Sequence, residues 1–341
     1  MATGSDRPPT IRDVAARAGV SKSLVSLVLN DSPLVRPPKR AAVEAAVREL
    51  GYRPNAAARR LNGRPLGIVG VLTHDLRQSF HADMVEALNS AFHVRDMTVL
   101  LGDAQFDERA DARLAKAFVT MRVDGLVLVG SMTPTPAVEE AVARMPTVVV
   151  ASLDVVRPRI DLAVQDDSAG ARLATEHLIT LGHTRVAHVS GSFGAAIDVR
   201  RRAYEEAMRD AGLEALTRVV VEDLTESGGY RAATELLREP GRPTALFVAA
   251  DAAAVGAVRA ALDLGLRVPQ DVSVIGFDNA TASRAPGVEL SSVDIDVGAM
   301  AQHAVELLQD RIVDPGRRRR VRRTRAELVV RRTTGPPATA S

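Results

Sequence analysis

The sequence predicts an α/β protein: an N-terminal all-α helix-turn-helix headpiece, then a two-lobed domain built on parallel sheets. Three observations predict it. Within residues 10–30, TIRDVAARAGVSKSLVSLVLN, apolar residues recur at helical spacing on both sides of a glycine. Beyond Leu66, about eight short apolar runs alternate with helical patterns, more than one compact sheet holds. Charge is also divided along the chain. Residues 1–65 carry twelve Lys/Arg against five Asp/Glu, a balance of +7. Residues 66–316 carry 23 against 36, a balance of −13, and residues 317–341 nine against one, a balance of +8. A basic head on an acidic body suits contact with a polyanion through the head.

In the first helix Ile11, Val14, Ala15 and Ala18 fall at i, i+3, i+4 and i+7, one apolar stripe. Gly19 reverses the chain, because a residue without Cβ tolerates φ > 0. Ser21 caps a second helix, whose Leu24, Val25, Val28 and Leu29 face inward while Lys22, Ser23, Ser26 and Leu27 face outward. Arg36, Lys39 and Arg40 open a third helix with Val43, Ala46, Val47 and Leu50 as its buried stripe, and Gly51 stops it. A helix-turn-helix of this kind places its second helix in the major groove of DNA. Residues 55–62 could form about two helical turns, too short to be stable alone in water, and Gly63-Arg64-Pro65 ends the linker.

From Leu66 the apolar runs are 66–73, 98–101, 126–129, 148–151, 186–189, 219–221, 245–249 and 272–275. Helical patterns lie between most of them, at 84–92, 110–121, 171–181, 204–211, 230–237 and 255–264. Near-continuous apolar strands alternating with helices imply parallel sheets buried on both faces. Two lobes joined by crossings near 161–163 and 291–294 are the economical arrangement. In such sheets ligands sit beyond the carboxyl ends of the strands, which nominates Asp75, Gly102-Asp103, Ser131, residues 152–154, residues 190–192, Asp251 and Asp278.

Composition excludes several classes. The 341 residues include no cysteine, so there is no disulfide framework, as suits a reducing compartment. No apolar segment opens the chain and no run of 18 apolar residues occurs, so a soluble cytoplasmic protein without membrane contact is expected. The sequence has no GxSxG, no HExxH and no phosphate loop, and its seven histidines are scattered. No catalytic residues, metal ligands or cofactor are therefore assigned. The arginines of 317–325 read as a solvated loop, with a second nucleic-acid patch as the alternative.

The phrases TIRDVAARAGVS, VSLVLN, ELGYRPN and AARRL, in this order and spacing, make residues 10–64 similar to the DNA-binding headpiece and hinge of the lactose-repressor and galactose-repressor family of bacterial regulators. The resemblance continues through GARLATEHLITLGHTRVAHVSG, DVRRRAYEEAM, FVAADAAAVGAVRAALDLGLRVPQDVSVIGFDN and ELVVRRTT, covering nearly all of residues 10–334. It implies a periplasmic-binding-protein-like architecture behind the head. The expected organisation is a disordered arm at 1–9, the headpiece at 10–54, a hinge helix and linker at 55–65, and the two-lobed domain at 66–334. Its first lobe takes about 66–161 and 294–324, its second about 162–293 and 325–332, and 335–341 form a disordered tail.

The resemblance also implies site residues. Lys22, Ser23 and Leu27 match positions that read base edges. Leu27 stands where many relatives carry an arginine, so guanine pairing at that base is lost, and the alternatives are contact with a thymine methyl or a silent position. Ser21, Ser26, Asn30, Arg36 and Lys39 match phosphate contacts, which position without specifying. Asn55, Ala58 and Leu61 belong to the hinge, Leu61 at the position of a minor-groove wedge. In the body Phe80 and His81 match residues flanking the ligand from the first lobe. Asp154 is expected to orient Arg200, which grips hydroxyl or carboxylate groups, and Asp251 and Asp278 match ligand hydrogen-bonding positions. Ala250 and Ile295 replace polar residues common in the family. The implied function is a transcriptional regulator, a repressor first, acting as a homodimer on a pseudo-palindromic double-stranded operator. Its effector is a sugar or sugar derivative, with a nucleoside or other metabolite acting as corepressor the alternative, and a carbohydrate-active enzyme a distant third.

Overall fold

The computed structural model describes residues 9–29, 32–52, 66–131, 134–155 and 157–338. It divides into two compact units, up to Leu66 and from Gly67 on.

The first unit is three helices: α1 (Ile11–Ala18), α2 (Lys22–Leu29) and α3 (Pro37–Leu50). The Asp13 carboxylate reaches back to the Thr10 N–H at 2.8 Å and to its hydroxyl at 2.7 Å, a capping box that satisfies an orphan donor. Gly19 ends α1 in the left-handed region at φ 62°, as its missing Cβ permits. The Ser21 hydroxyl accepts from the Leu24 N–H at 3.2 Å and starts α2. Val14, Val25, Val28, Val43, Ala46 and Tyr52 close a small core. Leu24, Leu29, Val47 and Leu50 pack at its edge, half-buried. Asn30 and hinge residues Asn55, Ala58 and Leu61 lie outside the described residues.

The second unit holds two six-stranded sheets. The strands of the first are β1 (Ile68–Thr73), β2 (Thr98–Asp103), β3 (Gly125–Val129), β4 (Thr147–Val150), β5 (Asp161–Gln165) and β11 (Val321–Thr324), ordered β11-β5-β4-β3-β1-β2 and all parallel. Those of the second are β6 (Val186–Ser190), β7 (Arg218–Val221), β8 (Ala245–Val248), β9 (Ser273–Asp278), β10 (Ser291–Asp294) and β12 (Glu327–Val329), ordered β12-β10-β9-β8-β6-β7, with only β12 antiparallel. The helices between them are α4 (Ser79–His93), α5 (Glu108–Met121), α6 (Pro136–Arg144), α7 (Asp167–Thr180), α8 (Ala195–Asp210), α9 (Glu226–Arg238), α10 (Asp251–Asp263) and α11 (Val297–Val313). Strands β3, β4, β6, β8 and β9 are buried along their whole length, as strands covered on both faces must be.

Three boundaries differ from expectation. The chain leaves the first sheet after Gln165 rather than near 161–163, because Asp161 opens β5 instead of ending the lobe. Its fully buried carboxylate accepts from Arg311 at 2.8 Å, Arg317 at 2.6 Å and the Arg320 N–H at 2.7 Å. The 317–325 run is accordingly no simple solvated loop: Arg317 is in that ion cluster, and Val321–Thr324 forms the edge strand β11. Gly335, placed in a disordered tail, is instead pinned, its carbonyl accepting from the Ser273 hydroxyl at 2.9 Å and lying 2.9 Å from His183 Nε2.

Candidate functional site

On α2 the apolar side is spent on the core, through Val25 and Val28. Ser21, Lys22, Ser23 and Leu27 are exposed, and Ser26 is half-buried. Arg36 and Lys39, at the start of α3, are exposed as well. Three cations, Lys22, Arg36 and Lys39, thus stand beside four small or apolar side chains at the exposed side of α2 and the start of α3, a composition that suits a groove-reading helix.

In the second unit a cleft of about 560 Å³ opens at the carboxyl ends of the strands. Its first-lobe wall includes His74, Asp75, Phe80, His81, Phe106, Asp111, Ser131 and Gln165; its second-lobe wall includes Ser192, Phe193, Arg200, Ala250 and Asp278. The strand-end rule thus found Asp75, Ser131, Ser192 and Asp278.

Arg200 is the anchor of the floor. Only 5 % exposed, its guanidinium donates through Nε to Asp167 at 2.8 Å and through Nη1 to the Ala249 carbonyl at 2.6 Å. Nη1 also lies 3.5 Å from Asp278, and the plane covers the Phe277 ring at 3.7 Å. The expected partner, Asp154, does not touch it. Asp154 instead accepts from the Ser152 hydroxyl at 2.9 Å and from the Ala195 N–H at 2.8 Å, so it caps α8 from the first lobe. Asp167 takes the orienting role because it is the first residue of α7, its charge favoured there by the helix dipole. Gln165 donates to the same Asp167 oxygen at 2.9 Å, which carries the network into the first lobe.

His81 Nδ1 lies 2.7 Å from the Thr73 hydroxyl, and burial drives its pKa down to about 4, so it is a neutral imidazole near pH 7. Burial raises the Asp278 carboxyl well above its usual range, against the opposing pull of Arg200. Asp251, expected at the ligand, does not line the cleft. Its carboxylate turns into the lobe and accepts from the Ala280 N–H at 2.7 Å and the Ser292 hydroxyl at 2.6 Å. Burial lifts its pKa to about 7. Ile295 is likewise a core residue. Sequence reasoning missed His74, Phe106 and Asp111, which sit on loops or a helix face without a motif, and Gln165, the last residue of β5. Among the described residues no group of three His, Asp or Glu side chains is arranged to hold a metal, and no helix is long and apolar enough to cross a membrane.

The lobes also meet away from the floor, where the Asp83 carboxylate accepts from the Thr281 N–H at 2.7 Å and from its hydroxyl at 2.9 Å. A helix-turn-helix unit carried on the same chain as a two-lobed unit with a polar cleft defines a DNA-binding regulator of the ligand-cleft type. Residues 10–55 match the bacterial regulatory proteins of the lacI family, and residues 175–334 the periplasmic binding protein-like domain. The chain is 33% identical over 309 residues to the HTH-type transcriptional repressor PurR of Escherichia coli O139:H28, across 89% of this chain and 91% of that protein. It is similar in structure to the lac repressor dimer bound to operator and the anti-inducer ONPF, with a TM-score of 0.83 at 28% identity, over 96% of this chain and 100% of that one. It also resembles the transcriptional regulator CelR in its cellobiose complex, with a TM-score of 0.71 at 30% identity, over 95% and 99% of the two chains. The chain belongs to the lacI family of bacterial regulatory proteins.

Proposed function

We propose that this chain is a sequence-specific transcriptional repressor whose affinity for a pseudo-palindromic operator is set by a sugar-like molecule bound between its two lobes. The observation that carries the proposal is the pairing, in one chain, of an α2 that presents Lys22, Ser23 and Leu27 with a cleft built around a fixed guanidinium. Lys22, Ser23 and Leu27 meet base edges, and Ser21, Ser26, Asn30, Arg36 and Lys39 meet phosphates. The hinge residues Asn55, Ala58 and Leu61 complete the contact in the minor groove. Two heads related by a two-fold axis fit two half-sites, so the acting species is a homodimer. The lac repressor's dimer on operator and CelR's complex with cellobiose support both halves of this reading.

The effector acts by population shift. Polar contacts of Asp83 with Thr281 and of Asp154 with Ala195 hold the lobes together, and a ligand that bridges the walls favours that closed arrangement by its differential affinity. Selection of bound duplexes from random DNA by the full chain tests the first half. Two-fold symmetric half-sites are expected, and Leu61→Ala should weaken binding to them while leaving the thermal transition of the body in place. A titration of the selected duplex with and without any compound that stabilises the chain tests the second. Selected sequences without symmetry, or an operator affinity indifferent to every stabilising compound, overturn the proposal.

A further inference from the structure

The cleft contains its own statement of what it takes. We infer that the effector is an uncharged glycoside, seated with an apolar sugar face on Phe106 and its hydroxyls toward His74, Asp111 and Gln165, and that anionic sugars are rejected. This rests on the cleft being the effector site.

The first observation is Phe106 itself. It is 57 % exposed on the first-lobe wall, and it and Gln105 both have positive φ, 57° and 51°. A bulky residue in the left-handed region is an outlier that the surroundings must enforce. Asp107 helps to enforce it, capping α5 immediately afterwards through the Arg109 N–H at 2.9 Å. The ring stacks on His74, centroids 5.4 Å apart and planes at 27°, leaving its other face free. Phe193 presents a second half-exposed ring from the opposite lobe. Exposed rings flanking polar groups are the ordinary means of holding a ligand that is apolar on its faces and polar at its rim.

The second observation is a set of polar atoms without partners among the described residues. His74 Nδ1, Asp111 Oδ1 and Gln165 Oε1 are buried and unbonded, although each residue is fixed by its other polar atom. All three residues line the cleft. Buried polar groups left unsatisfied are costly, and a polyol supplies both donors and acceptors to such atoms.

The third is charge. Six carboxylates and two guanidiniums line the cleft. Arg200 is already matched by Asp167 and Asp278, and Arg77 by Asp75 at 2.8 Å. No cleft guanidinium is left for a phosphate or carboxylate, and the surplus carboxylates repel one. Glu222 and Asp223 are held by Arg231 at 2.6 and 3.3 Å, and Asp111 faces His74 at 3.2 Å. Among the described residues the lining carboxylates without an arginine partner are Asp111, which faces the His74 ring, and the exposed Glu108.

Thermal-shift titrations of the full chain decide it, using cellobiose, maltose and methyl glucosides against glucose 6-phosphate, gluconate, glucosamine and adenosine. A neutral glycoside should raise the melting temperature, with Phe106→Ala weakening it about tenfold and Phe106→Tyr restoring it. Phe106 is exposed, so its variants keep the unliganded melting temperature. A hit confined to glucose 6-phosphate, gluconate, glucosamine or adenosine overturns the inference while leaving the cleft as effector site, and so does a glycoside hit indifferent to Phe106→Ala. No stabilisation by any member of the panel removes the sugar-effector reading itself and the inference with it.

Discussion

At the scale of single residues the cleft floor depends on one guanidinium shared between two buried carboxylates. Removing it leaves Asp167 and Asp278, each less than a tenth exposed, without their counter-charge at the floor of the cleft. Breaking a buried pair in this way costs about 3–5 kcal/mol, so Arg200→Ala should shift the urea midpoint strongly, with Asp278→Asn in the same background recovering part of the loss. Asp251 makes a pH prediction. Its folded pKa, raised to about 7 by burial, exceeds the unfolded value near 3.8, so the folded state binds the extra proton between the two. Its contribution is therefore fully present below the unfolded pKa and is lost as pH rises through about 7. The stability difference between the wild type and Asp251→Asn should shrink from pH 4 to pH 7, by up to about 1.36 kcal/mol per pH unit, and then level off. His81 and His188, lowered to about 4 and about 3 by burial, slope the other way, losing stability as pH falls below 6.5. Only the difference between wild type and variant therefore isolates Asp251. A difference constant over pH 4–8 contradicts the assignment.

At the scale of elements the tightest packing lies between α9 and α10. A Cβ on Gly229 would stand 1.9 Å from the Ala253 carbonyl oxygen, and one on Gly256 1.9 Å from that of Glu226. Backbone cannot yield as a flexible side chain does, so Gly229→Ala and Gly256→Ala should each destabilise the second unit by roughly 1–3 kcal/mol, read as a fall in melting temperature. Because the clash is between helices, the double variant should cost less than the two single costs added. Elements of this kind were legible where physics left one choice. β3, β4 and β8 are fully buried parallel strands and read as unbroken apolar runs; α1 announces itself by Ile11, Val14, Ala15 and Ala18 at helical spacing before Gly19. β5 and β11 were not legible. β5 begins with an aspartate whose charge is matched by arginines about 150 residues further on, and β11 is an edge strand, VRRT, whose arginines face solvent. The site divides the same way. Phe80, His81, Arg200 and Asp278 were found because strand ends and family motifs mark them. Phe106 and Gln165 were not, since a strained loop and a lobe crossing leave no spacing to count. Asp154 was assigned to the wrong partner because Asp167, nearer Arg200 in space, looks in sequence like an ordinary first-turn residue.

At the scale of the whole chain, charge decides which part meets DNA. The head carries +7 and residues 66–316 carry −13, so any duplex approaching the body meets net repulsion except at the arginines of 317–325. Of these, Arg317 is committed to Asp161, and Arg320 pairs with Asp310 at 2.9 Å. Arg318, Arg319, Arg322, Arg323 and Arg325 are exposed and are where a second contact could form. Salt dependence separates the two sites, because each phosphate neutralised on B-DNA contributes about −0.9 to the slope of log K against log salt concentration. Lys39→Ala should flatten that slope by about 0.9 per head and weaken binding to all duplexes alike, as loss of a phosphate contact does. Leu27→Ala should leave the slope unchanged and alter preference at one base of each half-site, as loss of a methyl contact does. Replacing Arg318, Arg319, Arg322, Arg323 and Arg325 together by glutamine should change neither slope nor preference, because the net charge of −13 on residues 66–316 opposes close approach of phosphates to the body. A slope that flattens in the fivefold variant would instead place DNA at β11 and its flanks, and the division of labour between a basic head and an acidic body would have to be given up.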